Sequence, residues 1–122
     1  MADDYKNIRI SIEAERVADT LCERFCFESK TAAMRFAMAY ALRDFADIMD
    51  FENLDNKYPK DGTNLNIGTV DTSDNIIKRS ICMMYPECET PYRYARVAII
   101  YGLEKISERM KDAPTFTIAD IM

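Results

Sequence analysis

The sequence predicts a mainly α chain with one N-terminal β-strand, dimeric, with a C-terminal helical extension. Three observations predict it: strict apolar/polar alternation over residues 7–12, a helical period of apolar residues over 14–25, and an almost uncharged helical run over 32–42. With 122 residues, 48% hydrophobic and 30% charged, the composition is that of a globular domain rather than a disordered chain.

In the strand, Ile8, Ile10 and Ile12 fall on one face and Asn7, Arg9 and Ser11 on the other. A strand this short with no hairpin neighbour must satisfy its backbone groups elsewhere, with a distant segment or with the same strand of a second copy. Self-pairing gives a two-stranded ribbon that fits the DNA major groove, where Asn, Arg and Ser are side-chain types that hydrogen-bond base edges. The alternative is an edge strand packed on its own domain.

Behind the strand, Ala14, Val17, Ala18, Leu21 and Phe25 form a buried helical stripe, with Glu15, Arg16, Asp19, Glu23 and Arg24 around the rest of the helix. Ser29 is an N-cap for a second helix, with Lys30 and Thr31 in its first turn. Such a terminus carries unpaired N–H donors and partial positive charge, so Ser29, Lys30 and Thr31 are candidates for holding a phosphate oxygen; a plain helix cap is the alternative. From 32 to 42 the only charged residue is Arg35. A helix apolar all round is buried all round, and in a core of this size the simplest cover is its own symmetry mate as well as its own subunit, so an obligate homodimer is expected.

These residues resemble the ribbon-helix-helix regulators of the MetJ/Arc type over roughly residues 6–45. The most specific piece is Phe27-Glu-Ser-Lys-Thr-Ala-Ala-Met-Arg35, which is similar to the family's hydrophobic-x-Ser-Arg-Ser-x-Ala-hydrophobic-Arg turn into the second helix. The resemblance implies base reading by Asn7, Arg9 and Ser11 and phosphate anchoring by the Ser29, Lys30 and Thr31 backbone. Where the family usually has Gly after the first helix, this chain has Cys26, and a left-handed residue there costs on the order of 1 kcal/mol.

The net charge of −5 weighs against DNA binding, whose nonspecific part comes from neutralising phosphates with Lys and Arg. The charge is uneven. Residues 1–50 hold seven basic and ten acidic side chains, 51–75 two and five, and 76–122 seven and six. A globally acidic domain can still bind DNA if its cations converge on one face. No apolar run approaches the roughly 18 residues of a membrane span and the N-terminus is acidic, so a cytoplasmic protein with no membrane partner is expected.

Residues 1–48 read as the ribbon-helix-helix unit, 49–75 as a long connection with one short strand near 65–70, and 76–122 as a two-helix extension packing on the same domain. Ser73 is the expected cap of a helix through Met84 that Pro86 ends, and Thr90 with Pro91 open a helix to about Lys111. Tyr92, Arg93, Tyr94 and Arg96 read as a snorkelling rim around the core. Lys78, Arg79, Arg93 and Arg96 are the candidates for an accessory contact to nucleic acid or to a protein partner. The order of a Gly62-Thr-x-x-Asn66 segment, an Asp-rich helix start and a final helix also resembles the small E subunit of the Dnd DNA phosphorothioation system.

Catalysis is not expected. The chain has no His, the commonest general base and transition-metal ligand. Cys22 with Cys26, and Cys82 with Cys88, lack the Cys-x2-Cys spacing of structural zinc sites, and the Asp/Asn-rich 47–75 text lacks EF-hand spacing. No metal or cofactor is expected, and free thiols are the default in a reducing compartment. The expectation is a sequence-specific DNA-binding protein, a transcriptional regulator or a DNA-associated factor of a mobile or defence element. The alternative is a non-enzymatic assembly subunit of a Dnd-like DNA-modification complex.

Overall fold

A computed structural model describes residues 4–113 and 115–121. The chain is mainly helical with a small two-stranded antiparallel sheet. Strand β1 spans only Asn7–Arg9, with Ile8 fully buried and Asn7 and Arg9 exposed. It pairs with β2, Asn64–Asn66, so the distant segment and not a second copy supplies its hydrogen bonds on that edge.

Helix α1 spans Ile12–Phe25. It starts one residue inside the expected strand because the Ser11 Oγ accepts from the Ala14 N–H at 3.2 Å, an N-cap that ends the extended run. Ala14, Ala18 and Leu21 are buried as the period predicts. Cys26 closes the helix at φ 58°, so the turn takes the left-handed geometry usual for glycine and bears its steric cost.

Helix α2, Lys30–Asp44, buries Ala33, Met34, Ala37, Met38, Tyr40, Ala41 and Leu42. Its cover comes from the same chain. Helix α6, Pro91–Asp112, and α1 pack against it, the own-subunit part of the expected cover. Gly102 permits the α2–α6 approach: a Cβ there would land on the carbonyl oxygen of Ala37.

The expected connection over 49–75 is more ordered than its composition suggests. Helix α3, Phe51–Lys57, is capped by Asp50, whose Oδ1 accepts from Asn53 N–H at 3.3 Å. It is anchored where Phe51 stacks on Tyr94, ring centroids 4.1 Å apart and planes 4° from parallel. The strand expected near 65–70 ends at Asn66, and Ile67–Val70 forms a single helical turn, α4.

Helix α5, Ile76–Met84, ends just before Pro86 as expected but is not capped by Ser73. Asn75 turns the backbone at φ 55°, and the buried Asp71 carboxylate accepts from Ile77 N–H at 2.9 Å and Lys78 N–H at 3.4 Å. A carboxylate on helix N–H donors gains both hydrogen bonds and dipole energy. The Tyr92 hydroxyl donates to Asp71 Oδ2 at 2.8 Å, tying α5 to α6. Helix α6 opens at Pro91, and Asp4 accepts from Tyr92 N–H and Arg93 N–H, both at 3.0 Å. After α6, Phe116 meets Phe25 edge-on and a closing 3-10 turn, Ile118–Ile121, buries Ile121. Among the described residues, no helix is long and apolar enough to cross a membrane.

Candidate nucleic-acid interface

The β1–β2 register pairs Asn7 with Asn66, Ile8 with Leu65 and Arg9 with Asn64. Directly opposite residues in an antiparallel pair share a face. Ile8 and Leu65 therefore point to the core, and Asn7, Arg9, Asn64 and Asn66 stand together on the other side, all four exposed. Two of the three expected base-reading residues, Asn7 and Arg9, lie on this face. Ser11 does not: it is 7% exposed and spends its side chain on the α1 cap, so its place among the base-reading residues is corrected. Asn64 and Asn66 were missed, although the alternation Asn64-Leu65-Asn66 was the available signal.

Several side chains lock the ribbon to the helices. Arg96 donates from Nε to the Arg9 carbonyl at 2.7 Å, from Nη1 to the Asp55 carboxylate at 2.9 Å and its carbonyl at 3.3 Å, and from Nη2 to the carbonyls of Tyr58 and Pro59 at 3.0 and 2.7 Å. These contacts use all five guanidinium N–H donors. Arg96 is 1% exposed. It cannot reach nucleic acid or a partner, which corrects its expected role as an accessory contact. The expected rim around it is likewise turned inward, with Tyr92 buried against Asp71 and Tyr94 stacked on Phe51.

On the other side of the ribbon, Gly62 N–H donates to the Ile10 carbonyl at 3.0 Å, and Asp61 accepts from Ile12 N–H at 2.8 Å. A Cβ on Gly62 would lie 2.5 Å from that Ile10 oxygen, so only glycine fits the approach. Glu15, expected on the polar side of α1, is buried beneath this loop and accepts from the Thr63 N–H and hydroxyl at 2.8 and 3.0 Å.

Lys30 lies 3.6 Å from the Glu15 carboxylate, its side chain 29% exposed. Ser29 caps α2 by accepting from Ala32 N–H at 3.1 Å, and its hydroxyl lies 3.0 Å from that of Thr31. The chain of contacts from Lys30 through Glu15 to Thr63 brings the expected phosphate-anchoring turn beside the start of β2. Lys78 and Arg79 are exposed on α5. Arg93 is half-buried with Nε 3.5 Å from the Asp55 carboxylate.

Of the acidic residues near the ribbon, Glu15 and Asp55 are buried, Asp4 is half-buried and Asp61 is exposed, and each accepts a hydrogen bond. Asp4 caps α6, Asp55 binds Arg96 and the Tyr5 hydroxyl, Asp61 caps α1 and Glu15 holds Thr63. Lys6, Arg9 and Lys60 remain exposed around it.

Burial alone would raise the Glu15 carboxyl, but the Thr63 bonds and the Lys30 charge outweigh it and hold its pKa below the ordinary value. Asp71 behaves alike: burial pushes its pKa up, while the Ile77 N–H, the Tyr92 hydroxyl and the Thr72 and Lys78 N–H groups bring it below the ordinary value. With a depressed folded pKa, the unfolded chain takes up the proton first on acidification. The contribution of both groups is present above the ordinary carboxylate range and is lost as the pH falls through their folded pKa values. Urea unfolding at pH 7 and pH 3 should show lower stability in acid, and Asp71→Asn should flatten that dependence; an unchanged slope would remove Asp71 from the account.

The four cysteines are free thiols, with Cys26 exposed and Cys22, Cys82 and Cys88 half-buried. Burial, the largest influence, raises the Cys22 and Cys88 thiols above their ordinary value. Among the described residues, no group of three or more Cys, Asp or Glu side chains is placed to hold a metal ion. Comparison with models of known protein families, with curated proteins and with solved structures finds no match for this chain.

Proposed function

We propose that the protein binds double-stranded DNA by laying the β1–β2 ribbon in the major groove. The observation that carries this reading is the register, which sets Asn7, Arg9, Asn64 and Asn66 side by side on an exposed face. Arg pairs with guanine O6 and N7 and Asn with adenine N6 and N7, so the four side chains match base-edge chemistry. Strands of three residues are about 10 Å long, comparable to the roughly 12 Å groove width, so one ribbon covers a short sequence. Ser29, Lys30 and Thr31 fix the register on the phosphate backbone. The role is that of a transcriptional regulator or a DNA-associated factor of a mobile or defence element, with homodimers placing two ribbons on repeated half-sites.

Enrichment from a random duplex library, with mass by light scattering on the same sample, tests it. A dimer should select a repeated or palindromic motif and a monomer a single short one. Arg9→Ala should weaken binding to the selected site by about 1–3 kcal/mol, and a variant that binds as well as wild type would end the ribbon reading.

A second reading is a non-enzymatic assembly subunit of a DNA-modification complex. It is favoured by exposed apolar side chains away from the ribbon, namely Ile48 at 67%, Ile76 at 52%, Met83 at 82% and Met84 at 45% exposure. Salt separates the two: DNA affinity should fall steeply with ionic strength and an apolar protein contact should not.

A further inference from the structure

We infer that a pocket at the edge of the ribbon is a phosphate site, distinct from the α2 turn. The inference rests on the DNA reading only for the source of the phosphate. The pocket has a volume of about 230 Å³ and is lined by Tyr5, Asn7, Arg9, Lys60, Asn64 and Arg96. It joins residues from β1, β2 and the segment between α3 and β2, so it exists only because the ribbon closes within the chain.

Its chemistry selects an anion. Arg9 and Lys60 line it together with the buried Arg96, which is committed to internal partners, and no carboxylate is among the lining residues. Arg96 and Asp55 pair with each other at 2.9 Å, so the exposed positive charge of the lining belongs to Arg9 and Lys60, and Lys60 is the one that the base-reading role of Arg9 leaves for a duplex phosphate. The amides of Asn7 and Asn64 add neutral donors. Tyr5 supplies a fixed wall: its hydroxyl donates to Asp55 at 2.6 Å, and its ring attracts the Lys60 ammonium at 4.9 Å and the Arg93 guanidinium at 5.2 Å. Lys60, held over the aromatic ring, is positioned without a carboxylate neutralising it, whereas Arg93 also lies 3.5 Å from Asp55. Lys30 at the α2 turn is in the opposite state, beside Glu15. The volume has room for a phosphate and its attached sugar, whose apolar face would lie on the Tyr5 ring.

Such a phosphate comes from one of two sources, a phosphodiester of the duplex whose bases face the ribbon or the monoester of a free mononucleotide. Amide-resolved NMR titrations with inorganic phosphate, with dAMP and with a short duplex distinguish them, using the wild-type chain and Lys60→Gln. Lys60 is exposed, so the variant keeps the fold, and an unchanged amide spectrum outside the pocket verifies this.

The expected result is that all three probes move the amides of Tyr5, Lys60 and Asn64, and that Lys60→Gln weakens duplex binding several-fold and lowers the salt slope by about one. If phosphate and dAMP move those amides and no duplex binds, the phosphate site stands with a mononucleotide as its source and the DNA reading fails. If the duplex moves the ribbon amides while dAMP leaves the pocket unmoved and Lys60→Gln keeps the full salt slope, the phosphate site is overturned and the DNA reading stands. No response to any probe overturns both.

Discussion

Arg96→Met will lower the unfolding free energy by about 3–5 kcal/mol, the range for removing one partner of a buried ion pair. Asp55, 4% exposed, would be left without its main cation, and the carbonyls of Arg9, Tyr58 and Pro59 would each lose a donor in the interior. Arg96→Lys should recover little, because an ammonium has three donors in place of a five-donor planar fork. Urea denaturation monitored by circular dichroism measures both variants. A loss below about 1 kcal/mol for Arg96→Met would show that the guanidinium does not hold the ribbon against α6. The double change Arg96→Met with Asp55→Leu removes the stranded carboxylate and should be less harmful than the single one.

Gly102→Ala is the second large effect, and its sign results from a competition. Alanine in a helix interior gains about 1 kcal/mol over glycine from propensity. Against this, the new methyl would occupy the space of the Ala37 carbonyl, a backbone atom that can move only with α2. Overpacking a tight core costs about 1–3 kcal/mol and more where the main chain must shift. The net expectation is a loss of roughly 2 kcal/mol. Gly68→Ala is the control: a Cβ there meets nothing within 4 Å, so that variant should be neutral or slightly stabilised. Equal melting temperatures for the two variants would mean that α2 and α6 do not approach as closely as Gly102 indicates.

How far the fold was legible depended on whether a signal was local. Helix α6 was readable from Thr90 and Pro91 at its start and a long apolar stripe, and the end of α5 from Pro86. Helix α3 was not, since an Asp/Asn-rich text hides it and what holds it is remote: Phe51 on Tyr94, and Asp55 on Arg96. The α5 cap was misplaced for a similar reason, because Asp71 reaches over several residues to donors that a nearest-neighbour reading assigns to Ser73.

At the candidate interface, alternation located Asn7 and Arg9, while the competing use of Ser11 as a helix cap was overlooked. The apolar character of α2 was read correctly as burial. Helices α6 and α1 of the same chain supply the cover described above, which the sequence could not single out because amphipathicity records how much of a helix is buried and not what buries it. Arg96 carries no local mark of burial. An Arg one turn into a helix reads as surface until the carbonyls that converge on it are known.

The pairing of β1 with β2 also bears on the order of folding. Asn7 and Asn66 meet across more than half the described chain, and α2 is covered by α6, near the end of it. A nascent chain that has emerged only as far as α2 has an unpaired strand and an uncovered apolar helix, both prone to wrong association. Such long-range closures slow folding, because the loop entropy is lost before the contacts form. The first 50 residues should therefore behave as a dependent fragment, aggregating alone and becoming soluble when the remaining segment is supplied in trans.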